Sequence, residues 1–259
     1  MAVSVNSIYK KVLAIVNKEQ RGYITPQEFN LFADQAQSEL FNSYVKDHAQ
    51  LMLLPKNDSR HGDMLDMLEE KLNPFQVFGQ SATLFLPVGL PPNGPKSSFL
   101  PTNLYKLLSV KVGTKEAAEL TMKEANRVLN GHKILRPHND RPYFVRRRNP
   151  AVITTGNFSP GIINIYGHNN VAIGPLGTPV TIDYIRKPST PNWGYILSPY
   201  IGSGGANEPL FNPGTSVDFE VHSSEASNLV LKIVQLAGIM IEDPTVYQAG
   251  VAEEQANKQ

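Results

Sequence analysis

Apolar residues recur along this chain with two different periods, and the change of period divides it. Over residues 5–18 they fall at Ile8, Val12, Ile15 and Val16, the spacing of one helix face, and Gly22 ends the run. Thr25-Pro26-Gln27-Glu28 reads as a helix start, with Thr25 as cap, Pro26 at the first helical position and Glu28 reaching back. The helix it opens carries Phe29, Phe32, Ala33, Ala36, Leu40, Tyr44 and Val45 as a wide apolar stripe. The short connection between these two helices predicts a helical hairpin. A shorter helix over residues 63–72 is stopped by Asn73-Pro74.

At Ser81 the period falls to two. SATLFLPVGL, NLYKLLSVKVG, AELTMK, YFVRRR, GIINIYG and TPVTIDYIRKP are short, rich in β-branched and aromatic residues, and bounded by Gly, Pro or Asn. They predict an antiparallel sheet or small sandwich, with one short helix over residues 123–129. Residues 188–216 form a long Pro/Gly/Asn-rich loop holding Trp193, Tyr195 and Tyr200; such loops are functional or are ordered by a neighbour. Helical spacing returns over residues 223–241. Leu229, Val230, Leu231, Ile233, Val234, Leu236, Ala237 and Ile239 make that helix apolar on most of its circumference, so it is expected to be buried. Ser223 or Ser224 can cap it and Glu225 suits its positive end. Its apolar run is about 13 residues, broken by Lys232 and Gln235, against the roughly 20 a bilayer span needs. The expected fold class is therefore α+β. A helical domain of residues 1–79 and 217–259 packs as one layer, and a β-rich domain of residues 80–216 is inserted in the middle.

Composition narrows the function classes. Cysteine is absent, which removes disulfides, thiolate metal sites and cysteine nucleophiles and fits a reducing compartment. The opening MAVSVNSIYKK has no apolar core followed by a cleavage site, so no secretion leader is expected. The net charge of +1 hides a segregation. Residues 126–149 hold seven basic residues and one acid, whereas residues 216–259 hold seven acids and two lysines. Such a pattern suits copies or neighbours that meet by opposite charge, or two solvated faces.

Candidate chemistry is sparse. GLPPNGPKSS resembles a phosphate-binding loop, but Pro95 stretches the spacing and deletes a backbone N–H that would have to face phosphate. His48, His61, His132, His138, His168 and His222 are too dispersed for a paired metal motif on one helix. Glu69 and Glu70 belong to a polar helix face, and no Gly-x-Ser-x-Gly elbow occurs. No catalytic, cofactor or metal residue is expected. The basic cluster Arg136, Arg141, Arg146, Arg147 and Arg148 is the best functional candidate. On a strand, Arg146 and Arg148 share one face and Arg147 takes the other. It can pair with a neighbour's acids or hold phosphate without reading bases; near-zero net charge and the lack of interleaved aromatic platforms weigh against specific nucleic-acid binding.

The order of these parts resembles structural proteins of tailed bacteriophages, above all the head-to-tail connector, or ring, proteins of podovirus-like and crAss-like phages. The likeness lies in NSIYKKVLAIVNKEQRGYITPQEFNLFADQAQSELF, in a β domain ending TIDYIRKP, in the Trp-Gly-Tyr loop and in SVDFEVHSSEASNLVLKIVQLAGI. The resemblance implies a non-enzymatic virion subunit of a ring, commonly of twelve copies, assembled in the host cytoplasm. Its implied partners are itself, the portal, the next tail or ring protein and genomic DNA sliding through the lumen, with no membrane. Beyond Pro244 the helix-friendly VYQAGVAEEQANKQ has little apolar surface for its own core. It is expected to dock as an arm on the portal through Val246, Tyr247 and Val251, with Glu253 and Glu254 meeting basic groups, or else to fold back on its own subunit. The alternative function is a virion β-sandwich binding module that anchors a fibre or contacts carbohydrate, with Trp193, Tyr195 and Tyr200 as its stacking platform.

Overall fold

The computed structural model describes residues 3–18, 24–53, 59–82, 84–85, 96–132, 134, 141–147, 161–166, 179–198 and 208–240. The protein is α+β, with helices at both ends and strands between them. It divides into two compact units, one of residues 1–74 and 188–259 and one of residues 75–187.

In the first unit, α1 (Val5–Lys18), α2 (Pro26–Leu53) and α5 (Ala226–Met240) form one helical layer, and α3 (Ser59–Leu72) packs back on α2. The helix α5 packs against both α1 and α2. Ile8 and Val12 of α1, Phe29, Ala33 and Leu40 of α2, and Leu229, Ile233 and Ala237 of α5 are all buried, so each helix gives its apolar stripe to a common core. The start of α2 is fixed locally. The Thr25 N–H donates to Glu28 Oε2 (2.9 Å) and the Glu28 N–H donates to Thr25 Oγ1 (3.3 Å), which closes the capping box and holds the Glu28 carboxyl below its usual pKa. The start of α5 differs from expectation. His222, not Ser223 or Ser224, caps a 3-10 turn over Ser223–Glu225, accepting from the Ser224 N–H through its side chain, and Glu225 is buried.

Residues 188–216 group with the helices, not with the strands as the sequence predicts. Polar side chains on α1 and α2 are the reason. Gln37, 1% exposed, donates to the Ser189 carbonyl (2.7 Å) and accepts from the Glu220 N–H (3.1 Å). Asn30 donates to Asn192 Oδ1 (2.9 Å) and accepts from the Trp193 N–H (2.8 Å), while Val3 and Phe219 form an antiparallel bridge. Each satisfies backbone groups of the returning chain that burial would otherwise strand.

The second unit is a sandwich. One sheet has the order β1-β9-β4-β5, from Gln76–Ala82, Val180–Arg186, Leu104–Val112 and Lys115–Glu116. The other has the order β2-β3-β8-β7-β6, from Leu84–Phe85, Lys96–Phe99, Ile162–Tyr166, Tyr143–Arg147 and Ala118–Glu119. Every described pairing in the two sheets is antiparallel except β6 with β7. Val110, Val112, Ile182 and Tyr184 from the first sheet and Phe144, Ile163 and Ile165 from the second form one buried cluster. The helix α4 (Met122–Asn130) opens with a second capping box, Thr121 with Glu124, and packs Ala125 on Val145 and Tyr166. A two-stranded ribbon, β10 (Tyr195–Ser198) with β11 (Glu208–Phe211), belongs to the helical unit.

Candidate functional site

The expected basic cluster is built on β7. Alternation along the strand turns Phe144 into the sandwich core and Val145 toward α4. Arg146 and Arg147 follow on opposite faces, both exposed, at the end of the strand where the sandwich no longer covers them. They pair in register with Ile163 and Ile162. Arg141 is also exposed. Among the described residues none of these three arginines forms an ion pair. Arg136 and Arg148 lie outside the described residues, as do the arm residues Val246, Tyr247, Val251, Glu253 and Glu254.

The loop aromatics meet a different fate from the one expected of a binding platform. Trp193 is 3% exposed. Its ring lies 4.2 Å from that of Tyr9 and 5.9 Å from those of Tyr195 and Phe211, and its indole N–H donates to Asn6 Oδ1 (3.2 Å). It is a core residue at the base of the ribbon, so a ligand-stacking role for it is corrected. Tyr200 lies outside the described residues. What the ribbon exposes instead is aliphatic. Ile196 faces Leu210 across the pair, and Ile196, Leu197 and Leu210 are 58%, 53% and 54% exposed. Successive strand residues point to opposite faces, so Ile196 and Leu197 make the ribbon apolar on both.

Two buried charge networks hold the units together internally. In the sandwich, Asp183 of β9 accepts from the Gly79 N–H (2.7 Å), the Ser109 hydroxyl (2.7 Å) and Lys111 Nζ (2.8 Å). Burial alone would raise its pKa; those three donors outweigh burial and hold it below the usual carboxylate value. The network closes register shifts on both sides of β9, one between Val77 and Gln80 and one between Leu107 and Ser109, and Gly79 takes a positive φ of 67° at the first. In the helical unit, Glu225 accepts from Lys71 Nζ (2.6 Å) and from Asn228 Nδ2 (2.7 Å). Burial again pushes its pKa up, and Lys71, Asn228 and the nearby His222 pull it below the usual value. Tyr44 presents its ring to Lys71 at 5.7 Å. Its hydroxyl is buried beside the Glu225 carboxylate, and burial, then the Glu225 charge and hydrogen bonding toward it, push its pKa up.

Sequence reasoning missed Asn30, Gln37, Asp183 and Lys71, because each acts on a partner far along the chain. Lys96 belongs by sequence to the loop that resembles a phosphate-binding one. It instead opens β3 and is buried with Ser97 and Ser98, its pKa lowered by that burial. Among the described residues no group of three or more His, Asp or Glu side chains could hold a metal ion, and no helix is long and apolar enough to cross a membrane. Compared with models of known families and with curated proteins, the chain matches none.

Proposed function

We propose that the chain is a non-enzymatic structural subunit of an oligomeric ring in the head-to-tail connector of a tailed bacteriophage, joining portal to tail and lining the DNA channel. The reading takes the ring as twelve copies, resident in the neck of the virion. The observation that carries it is the β10–β11 ribbon, which exposes Ile196, Leu197 and Leu210 although its base is locked into the core by Trp193. Residues 188–207 hold no charge and Glu208 is the single charged residue of the two strands, so a ribbon apolar on both faces suits burial between neighbours. Exposed Arg146 and Arg147 support the channel role, since solvated positive charge holds passing phosphate without reading sequence. The alternative, a binding module for carbohydrate or a fibre, is disfavoured because Trp193 is consumed in the core.

Mass photometry of the purified protein, alone and mixed with the portal protein of the same virion, tests the proposal. A discrete ring mass, formed alone or on the portal, is the expected result. A particle that stays at 28.6 kDa in both samples overturns it.

A further inference from the structure

The helix α3 turns one side to its own unit and leaves the other open. Leu65 and Leu68 are half-buried, Leu72 is buried, and the helix packs back on α2. Asp63, Asp66, Met67 and Glu70 stand at the i, i+3, i+4 and i+7 positions of the opposite side, and all four are exposed. Met64 and Met67 are 53% and 59% exposed. From Asp63 to Glu70 the helix carries four acids and no base. Among the described residues only Glu70 of these acids has an ionic neighbour, the His222 ring nitrogen at 3.8 Å. The helix α4 is built in the same way with the opposite sign. Ala125 and Leu129 pack on the sandwich. Lys123, Asn126, Arg127 and Asn130 hold the i, i+3, i+4 and i+7 positions of its outer side, all exposed, and Met122 at its edge is 42% exposed. Its one acid, Glu124, is closed into the capping box by Thr121. Neither Lys123 nor Arg127 forms an ion pair among the described residues.

We propose that α3 of one copy docks on α4 of the next copy, acids against bases and methionines against methionine. The inference rests on the ring reading and deepens it by naming two surfaces that meet. Charge chooses the occupant. A second α3 would set acid against acid and a second α4 base against base, so each helix face suits the other and not itself. The methionines supply the contact between the charges, because an unbranched thioether side chain fills an irregular gap against a partner and gains nothing by standing in water. The contact is also of the kind a ring needs. It joins two different patches, so every added copy still offers a free α3 or a free α4, and addition continues until the circle closes. The ribbon gives such an interface apolar area, whereas the paired charges fix the order and orientation of the copies.

Charge reversal of the full chain tests it, with assembly read by mass photometry at low salt, alone and with the portal protein. Asp63→Lys/Asp66→Lys reverses the acidic face and Lys123→Glu/Arg127→Glu the basic one, all at exposed positions. Each variant is expected to need about tenfold more protein to assemble, since exposed ion pairs are lost and like charges set together, while its urea unfolding stays close to that of the parent. An equimolar mixture of the two variants is expected to assemble at the parent's concentration, because alternating copies again bring acid against base at every contact. A single chain carrying all four changes should recover in the same way. Reversed variants that assemble as readily as the parent overturn the inference and leave the ring reading standing. So does a loss that neither the mixture nor the fourfold chain restores, which would give the affected face to a different protein. A parent chain that assembles neither alone nor on the portal overturns the ring reading, and this inference with it.

Discussion

Glu225 is where three helices of the first unit meet, since Lys71 reaches it from α3, Asn228 from α5, and Tyr44 of α2 lies against Lys71. A half-missing buried pair is worse than none, because the remaining charge has lost water and gained nothing. Lys71→Met is therefore expected to destabilise the helical unit by about 3 kcal/mol at neutral pH. Trp193, the only tryptophan and a core residue of that unit, reports its urea unfolding by fluorescence. The pH dependence follows from the sign of the shift. Glu225 has a folded pKa below its unfolded value, so the pair contributes fully above about pH 4.3 and is lost as pH falls through the folded pKa. The cost of Lys71→Met should shrink at pH 3; a cost equal at pH 3 and pH 7 would show that the ion pair is not its source. Tyr44→Phe makes the contrasting case. It deletes a buried hydroxyl that lies beside the Glu225 carboxylate, which keeps Lys71 and Asn228, so the cost should be about 1 kcal/mol or less and well below that of Lys71→Met. In the sandwich, Asp183→Ala strands the Gly79 N–H and the Ser109 hydroxyl, a loss on the order of 3 kcal/mol by far-UV circular dichroism. Its folded pKa is also depressed, so that difference too should fade as pH drops below about 4.

Elements whose signals are local were legible in the sequence. The bounds of α1, the Thr25 capping box and the stop after Leu72 all depend on residues within one turn of each other, and the structure has them where the spacing predicts. Thr25→Ala is expected to cost about 1 kcal/mol, read by tryptophan fluorescence, as a lost cap does. Elements held by distant partners were not legible. The strand β3 reads as loop because Lys96, Ser97 and Ser98 are polar, yet all three are buried, and Ser97 Oγ donates to Asn164 Oδ1 (2.8 Å) on β8. The strand β1 was hidden by Gly79, which breaks a β-like run but forms a bulge anchored by Asp183. The ribbon was hidden by Pro and Gly. Gly194 there is demanded by close approach rather than by a turn: an added Cβ would meet Thr215 Oγ1 and lie 2.8 Å from the Thr215 carbonyl carbon. Gly194→Ala should therefore displace the ribbon base and red-shift the Trp193 emission, which an unchanged spectrum would disprove.

At the scale of the whole molecule, the single helical layer was legible because three stripes too apolar to stay in water must cover one another. The allegiance of residues 188–216 was not, because it rests on Gln37, Asn30 and Trp193 binding segments more than 150 residues away along the chain. Of the candidate site, the basic strand β7 was legible as a run, while the ribbon's exposed aliphatic faces required the register. Two predictions follow for assembly. Replacing Arg146, Arg147 and Arg148 by Gln should leave the isolated subunit's unfolding unchanged but impair ring formation or DNA retention, and normal particles from that variant would refute the channel role. The ribbon gives the sharper test. Ile196 and Leu210 face each other on a strand pair, both more than half exposed, so they add little to the subunit's own stability. Ile196→Ser/Leu210→Ser should change the unfolding free energy of the isolated subunit, read by urea titration, by less than about 0.5 kcal/mol per position, the usual range for exposed positions. If the ribbon is buried between subunits, the same change removes two aliphatic side chains from an interface, each worth about 1.5 to 3 kcal/mol when fully buried. About half of each side chain is left for the interface to cover, so ring assembly followed by mass photometry should then weaken by about tenfold to a hundredfold in protein concentration. Trp193→Ala serves as the control that damages the ribbon through the core and lowers subunit stability as well. Rings that assemble normally from the double Ser variant would show that the ribbon's apolar faces do not join the copies.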